Sequence, residues 1–479
     1  MLYLALILLL ATAVRMIGLG REPLENDEFY SMMDASSLNY RSSRPVFYLF
    51  LYCWKTLFGG DSVLVLRFPA LLFGVLSVYA LFFVGRKLFN TRAGLLASLF
   101  LALSPFHIFH SQYIRMYTFL TFFSLLSLHA FLLLHQKERP WTWLYFLGAT
   151  LLAILSHPFA AFIPMSLVLY LAVFRKNDLL LKKFFLLAAA GCLLILISPL
   201  RSIAYEAMVR FEGGVYRYME EGPIPITFNM PTPTPGTVVR TLLQFCGMPR
   251  NIFLILIIAL FFGLPFLLGF MRFREGNNIT FTKHHEKYLC LIIILFPMLS
   301  VFFVSQFLII YVHRYFIFAL PLLLLVIAAS VLEFKNIVSR RIFIAGVLIL
   351  SLYSAGTYYA ELNNPDIEVA ADHISSNYLE GDRVITTIYQ GYTILNRYWS
   401  THLPVRDISK HDAERMEESI GNPQRIWLFR YYDDQSSGLS EYLDRMKYAR
   451  AQQVVIESIN LNSGRKTPRY EVLLFSKQK

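Results

Sequence analysis

Residues 62–84 read SVLVLRFPALLFGVLSVYALFFV, and the basic sequence Gly85-Arg86-Lys87 follows them directly. A helix of about 20 apolar residues is long enough to cross the hydrocarbon core of a membrane. Short loops rich in Lys and Arg stay on the cytoplasmic side of such helices. This stretch therefore predicts a membrane-spanning helix whose C-terminal end lies in the cytoplasm.

The same rule predicts ten more spans, so that residues 1–360 form a bundle of about eleven membrane helices. They lie near residues 1–19, 93–108, 114–134, 142–157, 158–174, 184–200, 251–270, 289–310, 315–334 and 342–360. A secretory signal normally has a Lys or Arg ahead of its apolar run, and the first run of this chain has none. We therefore expect the first run to be a retained helix. Composition agrees with a membrane protein, because 56% of the residues are hydrophobic and only 16% are charged, whereas soluble proteins carry about 25% charged residues.

The loops between these spans alternate in charge. Every second loop is short and basic, as at Arg86, Lys137, Arg175, Arg272 and Lys335. These loops account for most of the net charge of +12, so no nucleic-acid partner is expected. The other loops, and the tail after residue 360, then face outward. We expect an integral protein of a bacterial inner membrane, surrounded by membrane lipids, with an extracytoplasmic C-terminal domain.

The tail, residues 361–479, has a different pattern from the bundle. Amphipathic helix patterns at 366–379 and 437–449 alternate with strand-like runs at 383–389, 425–431, 453–458 and 470–476. The pattern predicts a small soluble α/β domain. No phosphate loop or dinucleotide-binding fingerprint occurs in it.

Ionisable and polar residues gather at the turns predicted to face outward. The candidates are Asp27, Glu28, Arg44, Arg67, His110, Gln112, Arg115, Tyr117, His157, Arg314 and Tyr315. Taken singly, an acidic pair is usually solvated surface, an interfacial Arg extends to the headgroups, and a lone His is more often structural. Five outer turns each carry ionisable or polar groups, and together they predict one site on this face of the membrane. The site would be acidic at the first loop and cationic around it. A lipid-linked phosphate with a polar headgroup fits that layout.

Several of these motifs, and others along the chain, resemble the GT-C superfamily of membrane glycosyltransferases that use polyprenyl-phosphate sugars. The similarity is to the protein O-mannosyltransferases, the aminoarabinose transferase of lipid A and related bacterial proteins. It rests on Arg15, Asp27-Glu28, Arg44 to Tyr48, Leu66 to Pro69, Gly85 to Phe89, Ser104-Pro105, Ser111-Gln112, Arg115 to Tyr117, Arg314-Tyr315, and two runs at the start of the tail, Val369 to Ile374 and Gly381 to Val384. Two departures occur: Tyr113 and Ile114 replace the usual Glu-Ala, and Arg44-Pro45-Val46 replaces a His- or Lys-Pro-Pro run.

This resemblance implies an inverting glycosyltransferase with Asp27 as the general base and Glu28 positioning Asp27 or the acceptor. Arg44, Arg115, Arg314 and Tyr315 would bind the donor phosphate, and Arg67, His110, Gln112, Tyr117 and His157 are further site candidates. The partners implied are a polyprenyl-phosphate-linked sugar and an acceptor glycan, lipid or protein. Some superfamily members use a divalent metal. We predict no metal and no cofactor here, because one acidic pair is not a cage of oxygen ligands.

Two other functions fit an outward cationic face. A transporter or flippase of lipid-linked sugars is the main alternative, although such proteins usually show internal repeats with broken helices at the midplane, and we find no repeat. A non-catalytic membrane scaffold whose tail binds a partner would not need the intact Asp27-Glu28 pair. The sequence therefore favours the enzyme.

Overall fold

The computed structural model describes most of the chain. The described residues are 1–36, 44–59, 62–174, 179–184, 216–219, 222–225, 232–247, 251–273, 279–281, 285–307, 310–360, 367–388, 395, 405–408, 420–432, 437–460 and 465–478. They form two compact units, one of residues 1–19 with 31–357 and one of residues 20–30 with 358–479. The sequence predicted one boundary at residue 360, which places residues 20–30 with the bundle, whereas in the structure these residues cluster with the tail.

The first unit is built from helices. They are α1 Leu2–Met16, α2 Asn26–Ser36, α3 Pro45–Phe58, α4 Val63–Leu88, α5 Thr91–Ala102, α6 Pro105–Ser111, α7 Tyr117–Gln136, α8 Pro140–Ser156, α9 Pro158–Phe174, α10 Pro235–Cys246, α11 Ile252–Leu268, α12 His285–Val304, α13 His313–Leu332 and α14 Ile337–Ala360. The first residues of α2 and the last of α14 belong to the second unit. Two short hairpins, β1 Tyr216–Met219 with β2 Gly222–Pro225 and β3 Met271–Phe273 with β4 Ile279–Phe281, complete the first unit.

Among the described residues, five of these helices, α4, α7, α12, α13 and α14, are long and apolar enough to cross a membrane, or six if the bent pair α5–α6 is one span. Shorter apolar helices of 10–17 residues are α1, α3, α8, α9 and α11. The predicted class, a mainly α membrane bundle with a small α/β domain, is thereby confirmed. Of the predicted spans, 184–200 lies outside the described residues apart from Phe184.

Two helices occur where the sequence predicted only an outer loop. Residues 20–61 contain α2 and α3, and α3 has 14 residues, which is shorter than a membrane crossing requires. Arg44 is the residue before α3, and Pro45 occupies its first turn, where the missing N–H of proline has no helical partner to lose. The predicted outer loop thus contains a short apolar helix.

The bend of 63° between α5 and α6 shapes the bundle near the candidate site. Proline at 105 cannot continue the hydrogen-bond ladder of α5. Ser104 instead begins a new helix, with its hydroxyl oxygen accepting from the N–H of His107 at 3.5 Å. The predicted span 93–108 is therefore a broken helix, and the one predicted from 114 begins at Tyr117 because residues 112–116 form a turn.

Aromatic and small residues pack the bundle. Phe73 of α4 stacks on Phe119 of α7 with ring centroids 3.6 Å apart, and Phe47 of α3 meets the same ring edge-on at 5.3 Å. The backbones of α4 and α5 approach so closely at Gly85 and Gly94 that a β-carbon on Gly94 would lie 2.6 Å from the carbonyl oxygen of Phe82. Such close approach is typical of helix pairs in membranes.

The second unit contains a five-stranded sheet. Its strands are β5 Arg383–Thr386, β6 Val405–Asp407, β7 Arg425–Tyr431, β8 Tyr448–Asn460 and β9 Arg465–Lys477, in the order β6-β5-β7-β9-β8. The β5 strand is parallel to β6 and β7, whereas β9 is antiparallel to β7 and β8. Helices α15 Ile367–Asn377 and α16 Ser437–Arg445 belong to the same unit, whose core includes Ile385, Leu428, Leu439, Tyr442 and Leu473. Strand β6 was not predicted.

Candidate functional site

A buried arginine from α1 binds the break between α5 and α6. Arg15 is fully buried, and its guanidinium donates to the carbonyl oxygens of Leu101 and Ala102 at 3.2 and 2.9 Å. Both carbonyls belong to the last turn of α5, where the i to i+4 helical donors end, and the Leu101 carbonyl also accepts from the N–H of Ser104 at 3.3 Å. Arg15 also donates to Nδ1 of His107 at 2.8 Å and to Oγ of Ser111 at 3.1 Å. The break is therefore held by a side chain from another helix.

Gln112 makes the reverse connection. Its side-chain amide donates to the carbonyl oxygens of Arg15 at 2.8 Å and Ile17 at 2.6 Å, which end α1. This candidate is 5% exposed. Its described bonds give it a structural role, since they cap one helix and fix the turn that follows the other.

Arg115 lies in the turn between α6 and α7 and is 8% exposed. Its Nη1 donates to the hydroxyl of Ser31 at 3.2 Å, and Ser31 is fully buried in α2. On that same helix Ser31 comes one turn after Asp27. The Arg115 turn is therefore bonded to the part of α2 that belongs to the first unit.

His157 lies between α8 and α9 and is 2% exposed. Its Nδ1 accepts the backbone N–H of Phe159 at 3.1 Å, which caps the short 3-10 turn opening α9. The centroid of its ring lies 4.8 Å from that of Tyr315 and 6.5 Å from that of Tyr117. Tyr117 also meets the ring of His110 at 4.8 Å. Four predicted site residues, from three of the outer turns, are thus neighbours.

Three guanidinium groups lie close enough to His157 for their charges to act on its ring. They belong to Arg44 before α3, Arg115 before α7 and Arg314 at the start of α13. Guanidinium groups bind carboxylate or phosphate oxygens through paired, charge-assisted hydrogen bonds. A site with three such groups, an imidazole and two phenols, in which Arg115, His157 and Tyr117 are buried and the others half-buried, is therefore suited to an anion.

The described hydrogen bond of Arg67 goes to a residue outside this cluster. Arg67 is 1% exposed, and its Nη1 donates to the carbonyl oxygen of Leu19 at 3.1 Å. Of the three carboxylates that the sequence offered as possible partners of Arg67, namely Asp61, Asp27 and Glu28, Asp61 lies outside the described residues. Arg67 supports the segment that follows α1, which is a structural role that an intramembrane Arg can take as readily as a catalytic one.

The acidic pair lies in the first turn of α2, within the second unit. Glu28 is fully buried, and its Oε2 accepts the backbone N–H of Glu25 at 3.0 Å. A Glu at the third helical position that reaches back in this way satisfies an N–H that the helix leaves without a partner. Asp27 is half-buried in the same turn.

Side chains of the tail hold the segment that carries this pair. Arg469 of β9 forms an ion pair with Glu25 at 3.4 Å, and Arg21 donates to the carbonyl oxygen of Tyr359 at 2.7 Å. Burial raises the pKa of the Tyr470 phenol well above its usual value, and the neighbouring Tyr431 adds to this effect. The segment 20–30 therefore belongs physically to the second unit.

Sequence reasoning missed two residues of this region. Ser31 was not singled out, although its spacing of four residues from Asp27 is a signal for one helix face. Phe159 contributes only a backbone N–H, which leaves no trace in a sequence pattern. Within the described parts of the chain, no group of three or more His, Cys, Asp or Glu side chains could hold a metal ion.

Residues 42–202 match the family model described as dolichyl-phosphate-mannose-protein mannosyltransferase. That region contains Arg44, Arg115 and His157. Sequence comparison with curated proteins gives no match.

The fold is similar to those of two solved membrane enzymes. The crystal structures of ArnT from Cupriavidus metallidurans, in the apo state and bound to undecaprenyl phosphate, each align with a TM-score of 0.59 and 13% identity over 98% of this chain and 97% of that chain. The archaeal oligosaccharyltransferase AglB from Archaeoglobus fulgidus, in complex with an inhibitory peptide and a dolichol-phosphate, aligns with a TM-score of 0.55 and 12% identity over 97% of this chain and 74% of that chain. The predicted resemblance in fold is confirmed, and the protein is an integral membrane protein.

Proposed function

We propose, from the premise that this chain has the fold of the GT-C membrane glycosyltransferases, that it transfers a sugar from a polyprenyl-phosphate donor to an acceptor hydroxyl. One observation carries the proposal most directly: the charges of Arg44, Arg115 and Arg314, which come from three separate elements, all act on the buried ring of His157. Guanidinium groups gathered around one imidazole suit an anionic ligand that presents several oxygen atoms. The phosphate of a lipid-linked sugar has the required charge.

Asp27 is the proposed general base. Its carboxylate takes the proton of the acceptor hydroxyl while the hydroxyl oxygen attacks the anomeric carbon of the donor sugar. The bond from that carbon to the phosphate oxygen breaks, polyprenyl phosphate leaves with the electron pair, and the configuration inverts. The proposal is supported by the position of Asp27 in the first turn of α2, because the N-terminal end of a helix favours a negative charge.

The three arginines are proposed to stabilise the leaving group. The phosphate gains negative charge as the glycosidic bond breaks, so fixed cations there lower the energy of the transition state more than that of the bound donor. Tyr315 would add a phenol hydroxyl to the same site. Glu28, by capping α2, would act on the reaction through the orientation of Asp27.

The acceptor is proposed to be a glycan, lipid or protein outside the cytoplasm. The tail unit would lie on that side of a bacterial inner membrane, since the short basic loops belong to the other side. The name of the matching family makes a mannosyl donor the first to assay.

The test uses the purified chain in nanodiscs with synthetic polyprenyl-phosphate sugars and envelope extracts as acceptors. Mass spectrometry would follow loss of the lipid-linked sugar, release of polyprenyl phosphate and gain of sugar mass in the acceptor. The proposal predicts acceptor-dependent release by wild type and release about 10²–10⁴-fold slower by Asp27→Asn. Movement of intact donor between the leaflets of proteoliposomes, without release of phosphate, would instead identify a flippase.

A further inference from the structure

The hydrogen bond at Nδ1 assigns the protonation of His157. A backbone N–H can only donate, so the bond from Phe159 at 3.1 Å requires a lone pair on Nδ1. The proton of the neutral imidazole therefore resides on Nε2. Adding a second proton at Nδ1 would break the cap of the turn that opens α9. His157 is thus a neutral ring whose Nε2–H is a fixed donor.

The Nε2–H of His157 is buried and donates to no atom of the described residues. The residue is 2% exposed. Buried polar groups in folded proteins are almost always hydrogen-bonded, so an exception points to a missing partner. The partner must be an acceptor, because Nε2–H can only donate.

The surroundings define the chemistry of that acceptor. The ring lies against Tyr315, with centroids 4.8 Å apart, and within reach of the charges of Arg44, Arg115 and Arg314. Three positive charges select an anion with several oxygen atoms, and a single directional N–H then selects one oxygen of it. A phosphate group satisfies both conditions.

We propose that His157 binds the phosphate of the lipid carrier as a neutral hydrogen-bond donor, a recognition element separate from the three charges. The identity of the anion rests on the proposed function. We assign His157 a role in binding the anion. The bond from Phe159 to Nδ1 fixes the ring in the turn between α8 and α9, so the Nε2–H is already oriented before the anion binds. Pre-orientation of this kind reduces the entropy lost on binding.

Two substitutions separate the two nitrogen atoms of the ring. In His157→Asn the side-chain oxygen can still accept from Phe159, so the cap is kept, but no N–H reaches the position of Nε2. In His157→Gln the longer side chain carries an amide N–H to about the position of Nε2, while the cap is lost. A purely structural role for His157 predicts that Asn is the better replacement, whereas phosphate recognition predicts that Gln is.

The experiment measures binding of undecaprenyl phosphate to the full chain in nanodiscs, with thermal stability as a parallel readout. We expect His157→Asn to be stable but to bind at least about tenfold more weakly than wild type, as for loss of a hydrogen bond to a charged group. We expect His157→Gln to be less stable yet to bind more tightly than His157→Asn. His129→Gln is the matched control, because its ring contacts Tyr145 in the pair α7–α8 at 3.3 Å and is not part of the cluster.

Binding of undecaprenyl phosphate to His157→Asn with wild-type affinity would overturn the inference, and so would equal weakening by Asn and Gln. No binding by wild type would overturn it as well. Failure of the proposed function is distinguishable from these outcomes: wild type would then bind undecaprenyl phosphate, with the predicted order of variants, but would release no sugar to any acceptor.

Discussion

Nη2 of Arg15 donates to Nδ1 of His107 at 2.8 Å, which joins α1 to the short helix that also carries His110. The same guanidinium satisfies two carbonyls at the end of α5. It thereby fixes the break on which the candidate site is built.

Arg15→Ala should destabilise the bundle strongly. The substitution removes a donor from the carbonyls of Leu101 and Ala102, and the Leu101 carbonyl keeps the N–H of Ser104 at 3.3 Å. A buried carbonyl left without a donor costs about 1–3 kcal/mol. We expect a clear fall in the apparent Tm in detergent, with only partial recovery in Arg15→Lys, because an ammonium cannot span the same acceptors. Arg21→Ala removes an exposed arginine with one described bond and is the control. Equal effects of the Arg15 and Arg21 variants would show that the break does not depend on Arg15.

Two glycines test the close contact of α4 and α5. A β-carbon at Gly94 would lie 2.6 Å from the carbonyl oxygen of Phe82, whereas one at Gly148 of α8 would meet nothing within 4 Å. Gly94→Ala should therefore cost about 1–3 kcal/mol through overpacking. Gly148→Ala should be neutral or slightly stabilising, since Ala is the better helix former. Thermal unfolding of both variants decides this, and equal stability would refute the close approach.

The acidic pair should divide into a chemical and a structural residue. Asp27→Asn should lower single-turnover transfer by about 10²–10⁴-fold, the usual contribution of a general base. Glu28→Gln should lose less, because its amide oxygen can still accept from Glu25. Glu28→Ala should lower stability by about 0.5–2 kcal/mol through loss of the cap. Binding of undecaprenyl phosphate should be unchanged in the Asp27 variant. Near wild-type transfer by folded Asp27→Asn would contradict the assignment.

Orientation in the membrane can be tested with single cysteines in a background that lacks the natural ones. From the sequence, Ser409 in the tail and Asn277 in a basic loop would be suitable positions for the cysteine, but both lie outside the described residues. Ser376 in the tail and Gln136 at the end of α7 are both exposed. A membrane-impermeant maleimide should label Ser376→Cys and spare Gln136→Cys in intact cells. The opposite pattern would reverse the orientation.

Local patterns predicted the helices well and the short elements poorly. Bilayer thickness fixes the length of a spanning run, so α4, α7 and α13 are readable from composition alone. The α3 helix was not predicted because its 14 residues are too few for that rule, and the three residues of β6 are stabilised by pairing with β5 rather than by their own sequence.

The site was readable only in part. Turns on one face of the bundle predicted that Arg44, Arg115, Arg314 and His157 would face the same side, and the three guanidinium groups lie near enough to the His157 ring for their charges to act on it. The bond from Arg15 to Leu101 joins residues 86 positions apart, and no spacing rule reveals such a pair. The capping role of Glu28 is local, and the spacing Glu25 to Glu28 could have shown it.

The most direct test of the account is the affinity for undecaprenyl phosphate of the variants Arg44→Ala, Arg115→Ala and Arg314→Ala, measured with the purified chain in nanodiscs. Each should bind at least about tenfold more weakly, because a hydrogen bond to a charged group contributes roughly 1.5–3 kcal/mol. Replacement by Lys should restore part of the loss. Arg86→Ala is the control, since Arg86 is exposed at the end of α4 on the predicted cytoplasmic side. We predict wild-type binding for Arg86→Ala, whereas equal losses in all four variants would contradict a phosphate site at His157.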